Sequence, residues 1–266
     1  MSNKLGFLGC GKIAKAVING CMSANLINNN DILASTHTEK SAFDRKNELN
    51  INVITDNKSV VEFADIIFIA VKPNQVEEVL KEIQHNLTNE KLIISFAAGV
   101  SIKKIELYSN LCPVIRVMPN TPVLVKEGIC ATAKGTYATD SHEKIVHKIL
   151  SEIGKVISVE ENQIDVVTAI SGSGPAFFYQ IFEDMAQAGV ELGLDYDKSL
   201  MLAVQTALGS AKMVFNRTKS VNELISSVAT KGGCTEVGIN TMHNLKSDEL
   251  FYEIIKNTTQ KASQLG

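Results

Sequence analysis

Short apolar runs recur along the first 160 residues: KLGFLG, DILAST, INVIT, DIIFIAV, KLIISFAA, PVIRVM and GICATAK. Each has the length of a strand. Between them the apolar positions return every three or four residues, as in KIAKAVINGCMSAN and QVEEVLKEIQHNL. Strand-length runs alternating with amphipathic helices predict a mainly parallel sheet covered by helices on both faces. Past Val159 the strand-like runs cease. AFFYQIFEDMAQAGVELGL and DKSLMLAVQTALGSAKMVFN carry helical periodicity instead, and Gly193 and Asp195 between them read as a helix stop and the next helix's cap. The expected organisation is an α/β domain over residues 1–160 and an all-helical domain over residues 161–266.

The helical half is more apolar than a solvated bundle of its size needs. Its Ala, Val, Ile, Leu, Met and Phe positions must be covered, and a second copy of the chain is the simplest cover. Composition narrows the rest. The chain has 266 residues, 45% hydrophobic and 21% charged, with a formal charge of −3. Only three arginines occur (Arg45, Arg116 and Arg217) and no basic stripe, which excludes nucleic acid as an expected partner. The longest apolar runs, such as Ile66 to Val71, fall short of a membrane span, and MSNKLGFLG lacks the pattern of a secretory signal. The cysteines (Cys10, Cys21, Cys112, Cys130 and Cys234) are odd in number and without CxxC spacing. They predict neither a metal site nor a disulfide framework, and fit a cytoplasmic protein.

One glycine cluster follows the first strand and opens the first helix: Gly9-x-Gly11-x-x-Ala14 within GFLGCGKIAKA. This is the context a dinucleotide fingerprint needs, and it makes the sheet Rossmann-type and doubly wound. Gly9 permits the tight turn, Gly11 lets the backbone approach a pyrophosphate, and Ala14 lets helix and strand pack closely. The segment Leu8, Gly9, Cys10, Gly11, Lys12 and Ile13 is therefore expected to hold the cofactor's phosphates on a helix N-terminus. The second strand ends in Ala34-Ser35-Thr36-His37-Thr38, and the nearest acid, Glu39, comes late. Ser35, Thr36, His37 and Lys40 suit a 2′-phosphate better than a carboxylate would, so NADPH is the expected cofactor, with NADH as a second one accepted. Asn57 reaches the adenosine end. Ala70, Val71, Lys72 and Pro73 in AVKPNQ, and Ala97, Ala98 and Gly99 in SFAAGVS, lie at strand ends that outline the same crevice.

With VKPNQ, SFAAGV, RVMPNTPVLVKEG, SGSGPAFFY and GGCTEVG in this order, the chain resembles pyrroline-5-carboxylate reductases over essentially its whole length. The resemblance implies NAD(P)H-dependent reduction of 1-pyrroline-5-carboxylate to L-proline, the last step of proline biosynthesis. It also implies a helical dimerisation and substrate domain that interlocks into a homodimer, and in many members dimers that assemble into decamers. It makes GGCT the substrate loop, contributed by one subunit to a site completed by the other's nucleotide domain. It places Glu161 near the substrate, where a carboxylate favours an iminium, although an exposed linker acid fits the same sequence. Pro119, Asn120 and Pro122 are expected to fix a rigid turn beside the nicotinamide, with Asn120 shaping the pocket.

Hydroxyacid dehydrogenases of the 3-hydroxyisobutyrate type share this plan but carry a lysine acid/base in a GxGxxxK segment. Here that segment is Gly172-Ser173-Gly174-Pro175-Ala176-Phe177-Phe178, and no Lys, Arg or His occurs from Val156 to Asp197. A carbonyl reductase wants a proton donor there. A cyclic imine brings its own basic nitrogen. A threonine hydroxyl both donates and accepts, so Thr235 is assigned the contact to that nitrogen and the catalytic role. Gly232, Gly233 and Cys234 are assigned the substrate carboxylate through backbone N–H groups. A third reading, a non-catalytic nucleotide sensor on the same scaffold, is separated by assay. One position departs from the family pattern: Lys231 stands where a proline precedes the glycine pair.

Overall fold

The computed structural model describes residues 3–216 and 218–264; Met1, Ser2, Arg217, Leu265 and Gly266 lie outside the described residues, and with them part of the N-terminal segment read for a signal. Eight strands are formed: β1 (Leu5–Leu8), β2 (Ile32–Ser35), β3 (Asn52–Ile54), β4 (Ile66–Ile69), β5 (Leu92–Ser95), β6 (Val114–Pro119), β7 (Gly128–Lys134) and β8 (Gly154–Ser158). Between them run α1 (Lys12–Ser23), α2 (Glu39–Leu49), α3 (Asn57–Phe63), α4 (Val76–Ile83), α5 (Ile102–Glu106) and α6 (Asp140–Leu150). The helical half holds α7 (Ile164–Val167), α8 (Gly174–Glu191), α9 (Tyr196–Phe215), α10 (Val221–Val228), α11 (Cys234–Asn244) and α12 (Ser247–Ser263). Two compact units result, Met1–Ser173 with Thr258–Gly266, and Gly174–Asn257.

The sheet order is β3-β2-β1-β4-β5-β6-β7-β8, so the chain starts mid-sheet, winds outward one way and then the other. Every pairing is parallel except β6 with β7. Alternation along the strands divides the core by face. Phe7, Phe68 and Ile94 pack with α1, α2 and α6, whereas Leu8, Ile67, Ile69 and Ile93 pack with α3, α4 and α5. Phe7 and Phe68 stack with centroids 4.4 Å apart. Burying such a side chain fully stabilises the fold by roughly 1.5–3 kcal/mol, so this double-faced core is what fixes the strand ends.

One local outcome differs from the sequence reading. GKVIS forms β8, a strand that its pattern did not signal. It is a partly exposed edge whose only apolar residues are Val156 and Ile157, and pairing with β7 makes it a strand. α8 opens at Gly174 with Pro175 in its first turn, and the segment before it is helical as well. The chain is already helical from Ile164 and passes through a wider turn at Thr168–Gly172, closed by Ser173 N–H on the Thr168 carbonyl at 2.8 Å. Pro175 stands in the first turn of α8, where its missing N–H removes no intrahelical bond. The next helix boundary behaves as read: Gly193 has φ +94°, and the Asp195 carboxylate caps α9 on Lys198 N–H.

Candidate functional site

Beyond the carboxyl ends of β1, β2 and β4 lies an open cleft of about 550 Å³. It is lined by Gly9, Cys10, Gly11, Ser35, Thr36, Asn57, Ala70, Val71 and Lys72, which the sequence had assigned to the cofactor. Gly9 sits at φ +92°, and a Cβ there would meet the Ala70 backbone at 2.9 Å, so only glycine fits the turn. A Cβ on Gly11 would meet nothing within 4 Å; it faces open space at the start of α1. Gly11 is the N-cap of α1 and brings no side-chain cap, which leaves the first-turn N–H groups to a ligand. Ala14 is fully buried behind it. A bare helix start, a turn closed to side chains and open space in front fit a dinucleotide pyrophosphate.

The remaining expected cofactor residues are placed differently. Leu8 is buried in the core, and Ile13 packs against it, so neither side chain faces the cleft. Lys12, Pro73, Asn120 and the Ala97–Gly99 turn are not among the cleft-lining residues. Gly99 has φ +71° in the turn after β5. The Asn120 carboxamide oxygen accepts Ile129 N–H at 2.9 Å, which ties its turn to β7 and makes it a shaping residue. Ser35 Oγ donates to Asn57 Oδ1 at 2.6 Å, and Asn57 Nδ2 donates to Glu82 at 2.8 Å. Asn57 therefore reaches the cleft with its amide oriented from both sides.

Sequence reasoning missed Ser41, Arg45, Gln75, Glu78 and Glu82, which also line the cleft. Helical spacing carried the signal: Ser41 and Arg45 share one face of α2, as Gln75, Glu78, Val79 and Glu82 share one face in and before α4. Arg45 is paired with Glu48, which also binds Lys15. Lys15 and Arg45 hold the Glu48 carboxyl below the usual carboxylate range through their hydrogen bonds. Glu39, the late acid after β2, is not among the cleft-lining residues; it accepts the hydroxyl of Thr55, which is, at 2.8 Å. On α2, the helix that follows β2, the charged side chain lining the cleft is Arg45. Burial pushes the Cys10 thiol up to about 11, and the Cys130 thiol to about 12, so neither is a nucleophile.

The glycine pair at the start of α11 is the second bare-backbone element. Gly232 has φ +77° and Gly233 is the helix N-cap, without a side-chain cap. Its N–H groups correct part of the sequence reading. Gly232 N–H is held by the Glu236 carboxylate at 2.8 Å, and Gly233 N–H by the Thr230 carbonyl at 3.0 Å. Glu236, one turn into α11, reaches back as a capping carboxylate does, and with the Thr230 carbonyl it leaves neither glycine donor open. Cys234 is exposed and Thr235 half-buried on the first turn of the helix.

Glu161 is not the free carboxylate the sequence allowed. Its Oε1 accepts Ile102 N–H at 2.6 Å, at the start of α5, and Arg116 at 3.2 Å. The Arg116 side chain is 8% exposed, so this pair is an internal tie between β6 and α5. No group of His, Cys, Asp or Glu able to hold a metal occurs among the described residues. None of the described helices is long and apolar enough to cross a membrane.

Comparison with known proteins covers both halves. Residues 161–265 match the family model described as pyrroline-5-carboxylate reductase dimerisation, and residues 4–99 match that described as NADP oxidoreductase, coenzyme F420-dependent. A pyrroline-5-carboxylate reductase of Methanosarcina acetivorans is 35% identical over 100% of this chain and 98% of its own. Among solved structures, that of a pyrroline-5-carboxylate reductase from Coxiella burnetii is 30% identical, covers 100% of this chain and 99% of its own, and has a TM-score of 0.94. The Plasmodium falciparum pyrroline carboxylate reductase, solved with NADP bound, is also 30% identical, over 100% of this chain and 98% of its own, with a TM-score of 0.86.

Proposed function

The chain belongs to the pyrroline-5-carboxylate reductase family, and from that premise we propose how its own residues carry the reaction. It reduces 1-pyrroline-5-carboxylate to L-proline with NAD(P)H, the last step of proline biosynthesis. The observation that carries the reading is that one chain holds both a dinucleotide cleft on β1 and β4 and, in its helical unit, a glycine-capped helix whose next residues are Cys234 and Thr235.

The cleft residues fit the cofactor, with the α1 N-terminus taking the pyrophosphate and Asn57 the adenosine ribose. A bound nicotinamide supplies the hydride. The hydroxyl in play is that of Thr235, which hydrogen-bonds the ring nitrogen before and after that nitrogen changes charge. The protonated imine takes hydride at carbon and becomes a secondary amine, so no side chain needs to deliver a proton. The exposed Phe178, where a hydroxyacid dehydrogenase places its lysine, agrees with that economy. The Cys234 backbone N–H, on the first turn of α11, takes the substrate carboxylate, with the thiol uninvolved. Glu161, held by Arg116, contributes by tying down the start of α5 through Ile102 N–H.

NADPH preference rests on Arg45, Thr36, His37 and Ser41 in the cleft, without an acid at the end of β2. The helical unit exposes Phe178, Met201, Leu202 and Phe215, which supports a homo-oligomer built on this unit, and cytoplasmic residence fits the free cysteines. Assembly of dimers into a decamer is proposed on resemblance alone. The test is direct: purified protein with pyrroline-5-carboxylate and NADPH should form proline as nicotinamide absorbance falls, with NADH a poorer donor. Turnover of a 3-hydroxyacid with NADP, and none of the imine, would overturn the reading.

A further inference from the structure

We propose that Glu236 is a positioning residue for the substrate loop, taking over the stiffening that a proline at position 231 would provide. The inference rests on the reading of GGCT as the substrate loop. Gly232 lies in the left-handed region at φ +77°, and nothing lies within 4 Å of where its Cβ would be. Packing therefore does not hold this backbone; hydrogen bonds do. One is local, from Gly233 N–H to the Thr230 carbonyl. The other comes from Glu236, whose Oε2 accepts Gly232 N–H at 2.8 Å. A charged acceptor on a backbone donor is the stronger kind of bond.

The spacing makes this bond a clamp on the reacting residue. Gly233 is the N-cap of α11, and Cys234, Thr235 and Glu236 are its first three residues. A carboxylate anchored on the third and reaching to the residue before the cap closes a ring around the Thr235 backbone. With Lys231 in place of proline, φ at that position is unrestricted, and the Glu236 bond is what keeps the glycine pair in one conformation before substrate arrives. Glu236 need not touch the substrate to do this.

The experiment compares wild type, Glu236→Ala, Glu236→Gln and the double variant Lys231→Pro with Glu236→Ala. Glu236→Ala should raise KM for pyrroline-5-carboxylate about tenfold while kcat falls less than about threefold, the signature of lost pre-organisation rather than lost chemistry. Glu236→Gln, whose amide oxygen accepts the same N–H, should stay within about threefold of wild type. Lys231→Pro should recover most of the KM lost by Glu236→Ala. Amide hydrogen exchange at Gly232 should quicken in Glu236→Ala, with NADPH affinity and melting temperature unchanged. An unchanged or lower KM in Glu236→Ala overturns the proposal, as does a Glu236→Gln protein as impaired as Glu236→Ala. A wild type that leaves the imine unreduced instead overturns the functional reading beneath it.

Discussion

Two helix starts in this molecule are stripped of side chains, and they are held by opposite means. At α1, Gly9 is wedged against the Ala70 backbone and the fully buried Ala14 lies just behind. At α11, Gly232 stands in open space and its conformation depends on one carboxylate. The first site is a by-product of the core: the sheet would have to deform before the loop could. The second is local, stabilised by a few hydrogen bonds on an exposed surface. The difference fits two ligands of unequal size. A dinucleotide spreads its binding over a preformed cleft, whereas a small imino acid needs a few donors that are set in place cheaply.

That contrast is broken most sharply by adding side chains to the two glycines. Gly9→Val forces both an unfavourable φ and a clash with backbone, so NADPH affinity should fall about a hundredfold or more, measured by fluorescence titration. Gly232→Ala meets no clash and carries the left-handed cost alone, about 1–2 kcal/mol, so KM for the imine should rise roughly 5- to 30-fold with NADPH affinity intact. Equal losses in the two variants would erase the distinction. The comparison is sharpened within the cleft by Arg45→Ala. Loss of the guanidinium that α2 presents to the cleft should lower the preference for NADPH over NADH by about tenfold in kcat/KM, mostly through the NADPH value. An unchanged ratio would remove Arg45 from cofactor selection.

The parts legible in the sequence were those written as local periodicity. Alternation of strand-like and helical runs located the first seven strands, and Gly9, Gly11 and Ala14 marked the turn into α1, where the φ of Gly9 and the Ala70 backbone beside it leave no room for a side chain. What escaped was decided by pairing across the chain. β8 has too few apolar residues to signal a strand, and β7 makes it one. Arg45 and Ser41 face the cleft because α2 is rotated that way, which spacing suggests but tertiary packing sets. Glu161 looked free because Arg116 is 45 residues away along the chain, and the ion pair exists only once β6 is in place. Gly232 and Gly233 read as open donors because neither the Glu236 side chain folding back on the first nor the Thr230 carbonyl turned onto the second has a sequence mark.

The central claim is that an imine brings the basic nitrogen, so a threonine hydroxyl suffices where a carbonyl reductase needs an acid. It is tested most directly by kcat for pyrroline-5-carboxylate at saturating NADPH in Thr235→Ala and Thr235→Ser. The account predicts a fall of about tenfold or more in Thr235→Ala, recovery toward wild type in Thr235→Ser, and unchanged NADPH affinity and melting temperature in both. Wild-type turnover in Thr235→Ala would contradict it.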